Sequence, residues 1–165
     1  SEHKGAVERS IHEFGQIASP DDVYLAQRGL RTMHVRLPRH WSSGLRLAKW
    51  ISEREEVEAV FYPALPGDRG HAIWQRDFKG ASGLFSFVFR KSHSHRADAF
   101  VDALKFFNIG ASWGGFESLI LPIDPSRERT ATSWQFEGRA FRMHVGLEDP
   151  DDLHEDIERA FRELY

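Results

Sequence analysis

Arg142 is the residue most suited to chemistry. In the segment Ala140-Phe-Arg-Met-His-Val-Gly-Leu147, Phe141, Met143, Val145 and Leu147 fall on one face and Arg142, His144 and Gly146 on the other. The alternation predicts a strand, with Arg142 aimed away from the apolar face. A guanidinium presented from a rigid strand can grip a carboxylate through two parallel N–H donors. An arginine on a solvated sheet face, or one paired with Glu117 or Glu148, would give the same pattern. His144, on the same face, reads as a base or as a strand histidine fixed by a hydrogen bond.

A second group is Ser112-Trp113-Gly114-Gly115-Phe116-Glu117-Ser118. Adjacent glycines let a backbone approach a ligand, and a loop tryptophan can wall a pocket and offer its indole N–H. A glycine turn beside a core tryptophan is the plainer alternative. His93-Ser94-His95 lacks a third ligand at suitable spacing and predicts an exposed turn, not a metal site. The acids from Glu148 to Asp152 fit a helix start, where carboxylates cap and complement the dipole. There is no phosphate-binding glycine loop and no Ser-His-Asp motif.

The elements that must carry these residues follow from periodicity. Val7, Ile11, Phe14 and Ile17 make one stripe of a helix over 5–17. Ser19-Pro20-Asp21-Asp22 predicts a fresh helix start, and Arg28-Gly29-Leu30 a break at Gly29. A longer helix is expected over 33–54, with Pro38 near its start. Then come a strand at 57–62, a short helix at 71–78 and an alternating strand at 84–90 carrying Phe85, Phe87 and Phe89. A helix at 97–108, a strand at 118–122, the Arg142 strand and a helix from Asp149-Pro150 complete the chain. This order predicts an α+β fold. A mixed, largely antiparallel sheet of about four strands is covered by helices on one face and preceded by a helical segment. Residues 1–32 are expected to form a separate helical unit and 33–165 the α+β domain.

Composition narrows the function classes. The 165 residues include 13 Phe and 5 Trp, enough aromatic surface for a sizeable core. The formal net charge is −3, without the basic excess of a nucleic-acid binder. No apolar run approaches the roughly 20 residues of a membrane span. Cysteine is absent, so disulfides and thiolate chemistry are excluded. A soluble cytoplasmic protein is the expectation.

Several segments together resemble the Cys/Met-metabolism pyridoxal phosphate enzymes. Arg28-Gly-Leu-Arg-Thr32 is similar to their RGL(K/R)T region. Phe61-Tyr-Pro-Ala-Leu-Pro-Gly67 and Gly83-Leu-Phe-Ser-Phe87 resemble their HPxLP and GxxSF segments, with Tyr62 in place of the histidine. Ser112-Trp-Gly-Gly-Phe-Glu-Ser-Leu119 resembles their SxGGxESL loop, and Arg142-Met-His-Val-Gly-Leu-Glu-Asp149 their RLSxGxED strand end. The match runs from about residue 15 to the end. Trp113 and His144 resemble the bacterial cystathionine β-lyase branch.

The resemblance implies that Arg142 binds the substrate α-carboxylate, that Ser112 helps to hold it, and that Trp113 walls the pocket. It implies the carboxyl-terminal small domain of a pyridoxal 5′-phosphate enzyme that cleaves cystathionine to homocysteine, pyruvate and ammonia, in methionine biosynthesis. It implies a homotetramer in the full-length form. The lysine that attaches the cofactor has its own motif in this family, and none of Lys4, Lys49, Lys79, Lys91 and Lys105 lies in that context. The chain alone is therefore expected to hold no covalently attached cofactor, to contribute no catalytic residue, and to be inactive. Residues 1–32 would be a helical remnant of the cofactor-binding domain and its connector. The alternatives are a γ-synthase, a γ-lyase or a cysteine-S-conjugate β-lyase of the same family, and a non-catalytic interaction domain.

Overall fold

The computed structural model describes residues 3–127 and 129–165. Residues 1–35 and 36–165 form two compact units.

In the first unit, α1 spans Lys4–Glu13. It stops four residues short of the expected end, because Gly15 adopts φ 62°. The Gln16 amide donates to Ile11 O at 3.0 Å and the Gly15 amide to His12 O at 3.4 Å, which closes the carboxyl end as a Schellman turn. The stripe of Val7, Ile11, Phe14 and Ile17 is exposed throughout. The helix α2 spans Pro20–Ser52. Ser19 caps it as expected: its Oγ accepts the Asp22 amide at 3.1 Å and donates to the Asp22 carboxylate at 2.8 Å. The expected break at Gly29 is absent, and α2 runs through it. A glycine costs a helix about 1 kcal/mol against alanine. With Leu30, Arg31 and Met33 following, that is too little to stop a long ladder. Pro38 consequently lies deep inside the helix, where it forgoes one ladder bond.

The second unit holds β1 (Val57–Phe61), α3 (His71–Asp77), β2 (Leu84–Phe89), α4 (Ala97–Ala103), β3 (Asn108–Ile109), β4 (Leu119–Ile123), β5 (Ala140–His144) and α5 (Pro150–Arg162). The sheet has 5 strands in the order β1-β2-β5-β4-β3. All pairs are antiparallel except β3–β4. The α+β class and the mixed, mostly antiparallel sheet are as expected. The additional strand is β3, whose two residues are too few to show alternation. The expected helix over 97–108 ends at Ala103, because the buried Asp156 carboxylate accepts the amides of Lys105 and Phe106, each at 2.9 Å. Those amides are thereby drawn off the helical ladder.

One sheet face is covered by helices. Phe85, Phe87, Phe89, Ile120, Phe141, Met143 and Val145 are buried beneath Leu47, Ala48 and Ile51 of α2, Phe100 of α4 and Leu153, Ile157 and Phe161 of α5. Phe89 and Phe141 meet Phe100 and each other with centroids 5.1 to 5.9 Å apart, a spacing at which aromatic pairs attract beyond their burial. Asp149 caps α5 by accepting the Asp151 amide at 2.8 Å, with Pro150 at the first helical position. Among the described residues no helix is long and apolar enough to cross a membrane.

Candidate functional site

Arg142 sits at the middle of β5, opposite Ser86 of β2 and Leu121 of β4. Strand neighbours on both sides make its base rigid. Its side chain lies on the sheet face opposite Phe141 and Met143 and is partly exposed. The guanidinium donates through Nη2 to the carbonyl of Ala111. Neither Glu117 nor Glu148 pairs with it, and no ion pair engages it among the described residues. A carbonyl leaves the positive charge uncompensated, so the remaining donors are free to bind an anion.

The Ala111 contact places the 111–118 loop beside Arg142. Residues 111–117 are all exposed, and Trp113 and Phe116 are 61% and 69% exposed. The loop keeps its position through bonds to the chain following Arg142. His144 Nε2 lies 3.1 Å from the Gly114 nitrogen and 3.1 Å from the Gly115 oxygen. The Leu147 amide donates to Phe116 O at 2.8 Å. The Ser118 amide and hydroxyl donate to Glu148 Oε1 and Oε2 at 2.7 and 2.8 Å, and Ser118 Oγ accepts the Gly146 amide at 2.9 Å. Gly114 reverses the chain with φ 83°. Gly146 allows the close approach: a Cβ there would lie 2.2 Å from Phe116 O and 2.7 Å from the Glu117 carbonyl carbon.

The structure therefore brings Arg142 against the residue preceding Ser112 and Trp113. The loop tryptophan is not part of the core. The tethers His144, Glu148 and Ser118, and the Ala111 carbonyl, join segments distant in sequence. A backbone acceptor leaves no trace in residue type. His144 stood out as a polar residue in an apolar strand; Ser118 and Glu148 were visible as residues but not as partners of one another. His144 is 3% exposed, and burial holds its pKa below the ordinary histidine value. His40 and Arg142 push the same way, while the Gly115 carbonyl and Glu148 oppose them.

His93, Ser94 and His95 lie in a 3₁₀ turn, Lys91–Arg96. Ser94 Oγ there donates to Arg90 O at 3.1 Å and accepts the Arg139 amide at 2.8 Å. No group of potential metal ligands gathers among the described residues. A concavity of about 600 Å³ is lined by Tyr62, Ile73, Trp74, Phe78 and other mainly apolar residues. It shares no lining residue with the Arg142 loop and carries no charged group.

The donors around Arg142 suit a carboxylate. They do not suit attachment of a pyridoxal cofactor: all five lysines are exposed, none lies in the 111–118 loop or the 142–148 segment, and Lys4 and Lys91 pair with Glu8 and Glu137.

Comparison with known proteins gives the family. The family model described as "Cys/Met metabolism PLP-dependent enzyme" matches residues 1–162. A putative cystathionine beta-lyase of Rhizobium johnstonii is 46% identical, over 98% of this chain and 41% of that protein. Cystathionine beta-lyase MetC of Escherichia coli is 44% identical, over 91% of this chain and 39% of that protein. The crystal structure of metB from Corynebacterium glutamicum superposes with a TM-score of 0.79 at 32% identity, covering 93% of this chain and 40% of that one. The chain thus spans about two fifths of the length of these curated relatives. With a family model covering nearly all of its residues, the chain belongs to the Cys/Met metabolism PLP-dependent enzymes.

Proposed function

We propose that this chain forms the substrate-carboxylate wall of a cytoplasmic, homo-oligomeric carbon–sulfur lyase acting on cystathionine. The observation that supports it is the placement of Arg142: a rigid, partly exposed guanidinium, unpaired with any acid among the described residues and fixed against the Ala111 carbonyl beside Ser112. Residues 33–165 act as the carboxyl-terminal domain, and residues 1–32 as a helical part of the cofactor-binding domain with its connector. The similarity to two cystathionine β-lyases supports the substrate.

Pyridoxal phosphate, when bound to the full-length enzyme, supplies an electron sink for negative charge developing at Cα. The residues of this chain orient the amino acid. Arg142 binds the α-carboxylate through two donors, which fixes the direction of the Cα bonds. Ser112 adds a hydroxyl donor to the same carboxylate, and Trp113 walls the site against water. The chain by itself is inactive, since it holds no lysine in a position to attach the cofactor.

The full-length protein, loaded with pyridoxal phosphate and given cystathionine, tests this reading. Pyruvate is the expected keto acid; 2-oxobutyrate instead would place the enzyme on the γ side of the family and overturn the β-lyase assignment.

A further inference from the structure

His144 follows Arg142 by two residues and shares its face of β5. Its cross-strand neighbours are Leu84 and Leu119, which offer it no polar partner. Its hydrogen-bond partners among the described residues are the Gly114 amide and the Gly115 carbonyl, each 3.1 Å from Nε2, with Nδ1 farther from the same amide at 3.5 Å. With Nε2 bare the ring accepts from Gly114; with Nε2 protonated it donates to Gly115. In either tautomer one ring nitrogen holds a backbone group of the Gly114-Gly115 pair in the exposed loop.

His40 stands behind it. This α2 residue is 3% exposed, and its ring centroid lies 5.3 Å from that of His144 with the planes tilted by 37°. His40 Nδ1 is 2.8 Å from Val145 O. A carbonyl only accepts, so Nδ1 carries the hydrogen. His40 Nε2 is buried without a partner among the described residues, so this ring supports His144 by packing. The charged groups facing the pair are Arg142, which donates to Ala111, and Glu148, which is engaged by Ser118.

We propose that His144, backed by His40, is the positioning residue of the carboxylate loop: its grip on the Gly114 amide or the Gly115 carbonyl keeps Ser112 and Trp113 beside the Arg142 guanidinium. The inference rests on the carboxylate-wall reading above. The loop is exposed from 111 to 117, so its Ser112–Gly115 part depends chiefly on hydrogen bonds to keep its place.

The test uses the full-length enzyme with its cofactor and three variants: His144→Leu, His144→Asn and, for reference, Arg142→Ala. An asparagine amide can both accept from Gly114 and donate to Gly115; leucine can do neither. For cystathionine, His144→Leu should raise KM about fivefold to tenfold with kcat within about twofold, since a hydrogen bond of ordinary net strength is lost from substrate positioning. His144→Asn should bring KM back to within about threefold of the wild type. If Arg142→Ala raises KM and His144→Leu leaves it within about twofold, the positioning role is overturned and the carboxylate wall stands. If Arg142→Ala leaves KM unchanged, the wall itself is wrong and the inference falls with it. Failure of asparagine to restore KM where leucine has raised it also overturns the proposal. Should the leucine variant not fold, His144→Phe, a ring of similar shape that can make neither bond, replaces it: KM should rise as expected for leucine, and a KM within about twofold of the wild type overturns the grip.

Discussion

Ser118 and Glu148 are bonded twice, backbone amide to Oε1 at 2.7 Å and hydroxyl to Oε2 at 2.8 Å, across 30 residues of chain. Ser118 is fully buried, and its oxygen also accepts the Gly146 amide. The serine therefore ties the end of the exposed loop to the chain leaving β5. Ser118→Ala removes one bond and leaves the buried Gly146 amide without its acceptor. Stability should fall by about 2 kcal/mol, read from the denaturant midpoint at constant slope. A change below about 0.5 kcal/mol would show that the clamp does not matter.

The three glycines of the site should respond differently to alanine. At Gly146 a Cβ would overlap backbone atoms at 2.2 and 2.7 Å, so Gly146→Ala should cost about 3 kcal/mol or prevent folding. At Gly114 the space is open but φ is 83°, and the cost should be about 1 kcal/mol. At Gly115 the space is open and φ is not positive, so the change should stay within about 0.5 kcal/mol. Thermal or urea denaturation of the three variants gives the order; an equal cost at Gly114 and Gly115 would contradict the conformational argument.

Asp156 is wholly buried, accepts the Lys105 and Phe106 amides and pairs with Arg159. Asp156→Ala should destabilise by about 3 kcal/mol, since two amides and a guanidinium lose their partner together. It should also loosen the entry to β3, seen as faster amide exchange at Lys105 and Phe106. Unchanged exchange there would contradict the assigned role.

Two groups should divide the acid side of the stability curve. His144 has a folded pKa lowered chiefly by burial, so the unfolded chain binds its proton first. Its contribution is complete above the ordinary histidine value of about 6.5 and is lost as pH falls below it. For Glu56, burial raises the pKa, but hydrogen bonds from Arg54 and Tyr165 and the Arg54 charge outweigh it, and the net shift is downward. Its contribution is complete above the ordinary glutamate range and is lost at lower pH. His144→Asn should begin to flatten the curve as pH falls below about 6.5, and Glu56→Gln only as it falls below about 4.5. A Glu56→Gln effect that already changes with pH near 6.5 in urea titrations at fixed pH would refute the separation.

Much of the fold was legible where local signals agree. The alternation of Phe85, Phe87 and Phe89, and Asp149-Pro150 before the period of α5, both lead to the observed elements. The errors arose where tertiary structure overrides local preference. Gly29 is a weak helix breaker in a strong context, and the end of α4 is set by a carboxylate 50 residues away. At the site, Arg142 and the glycine loop were visible as residue types. Their juxtaposition was not, because it runs through the Ala111 carbonyl and through Ser118–Glu148, which no spacing rule encodes.

The central claim is that Arg142 binds the α-carboxylate, and steady-state kinetics of Arg142→Ala in the full-length enzyme tests it most directly. Loss of a charge-assisted pair predicts a KM for cystathionine raised about 100-fold, with the absorbance of the bound cofactor unchanged. Arg142→Lys should recover only part of the loss, because an ammonium cannot bind a carboxylate through a planar fork. A KM within about twofold of the wild type would contradict the account.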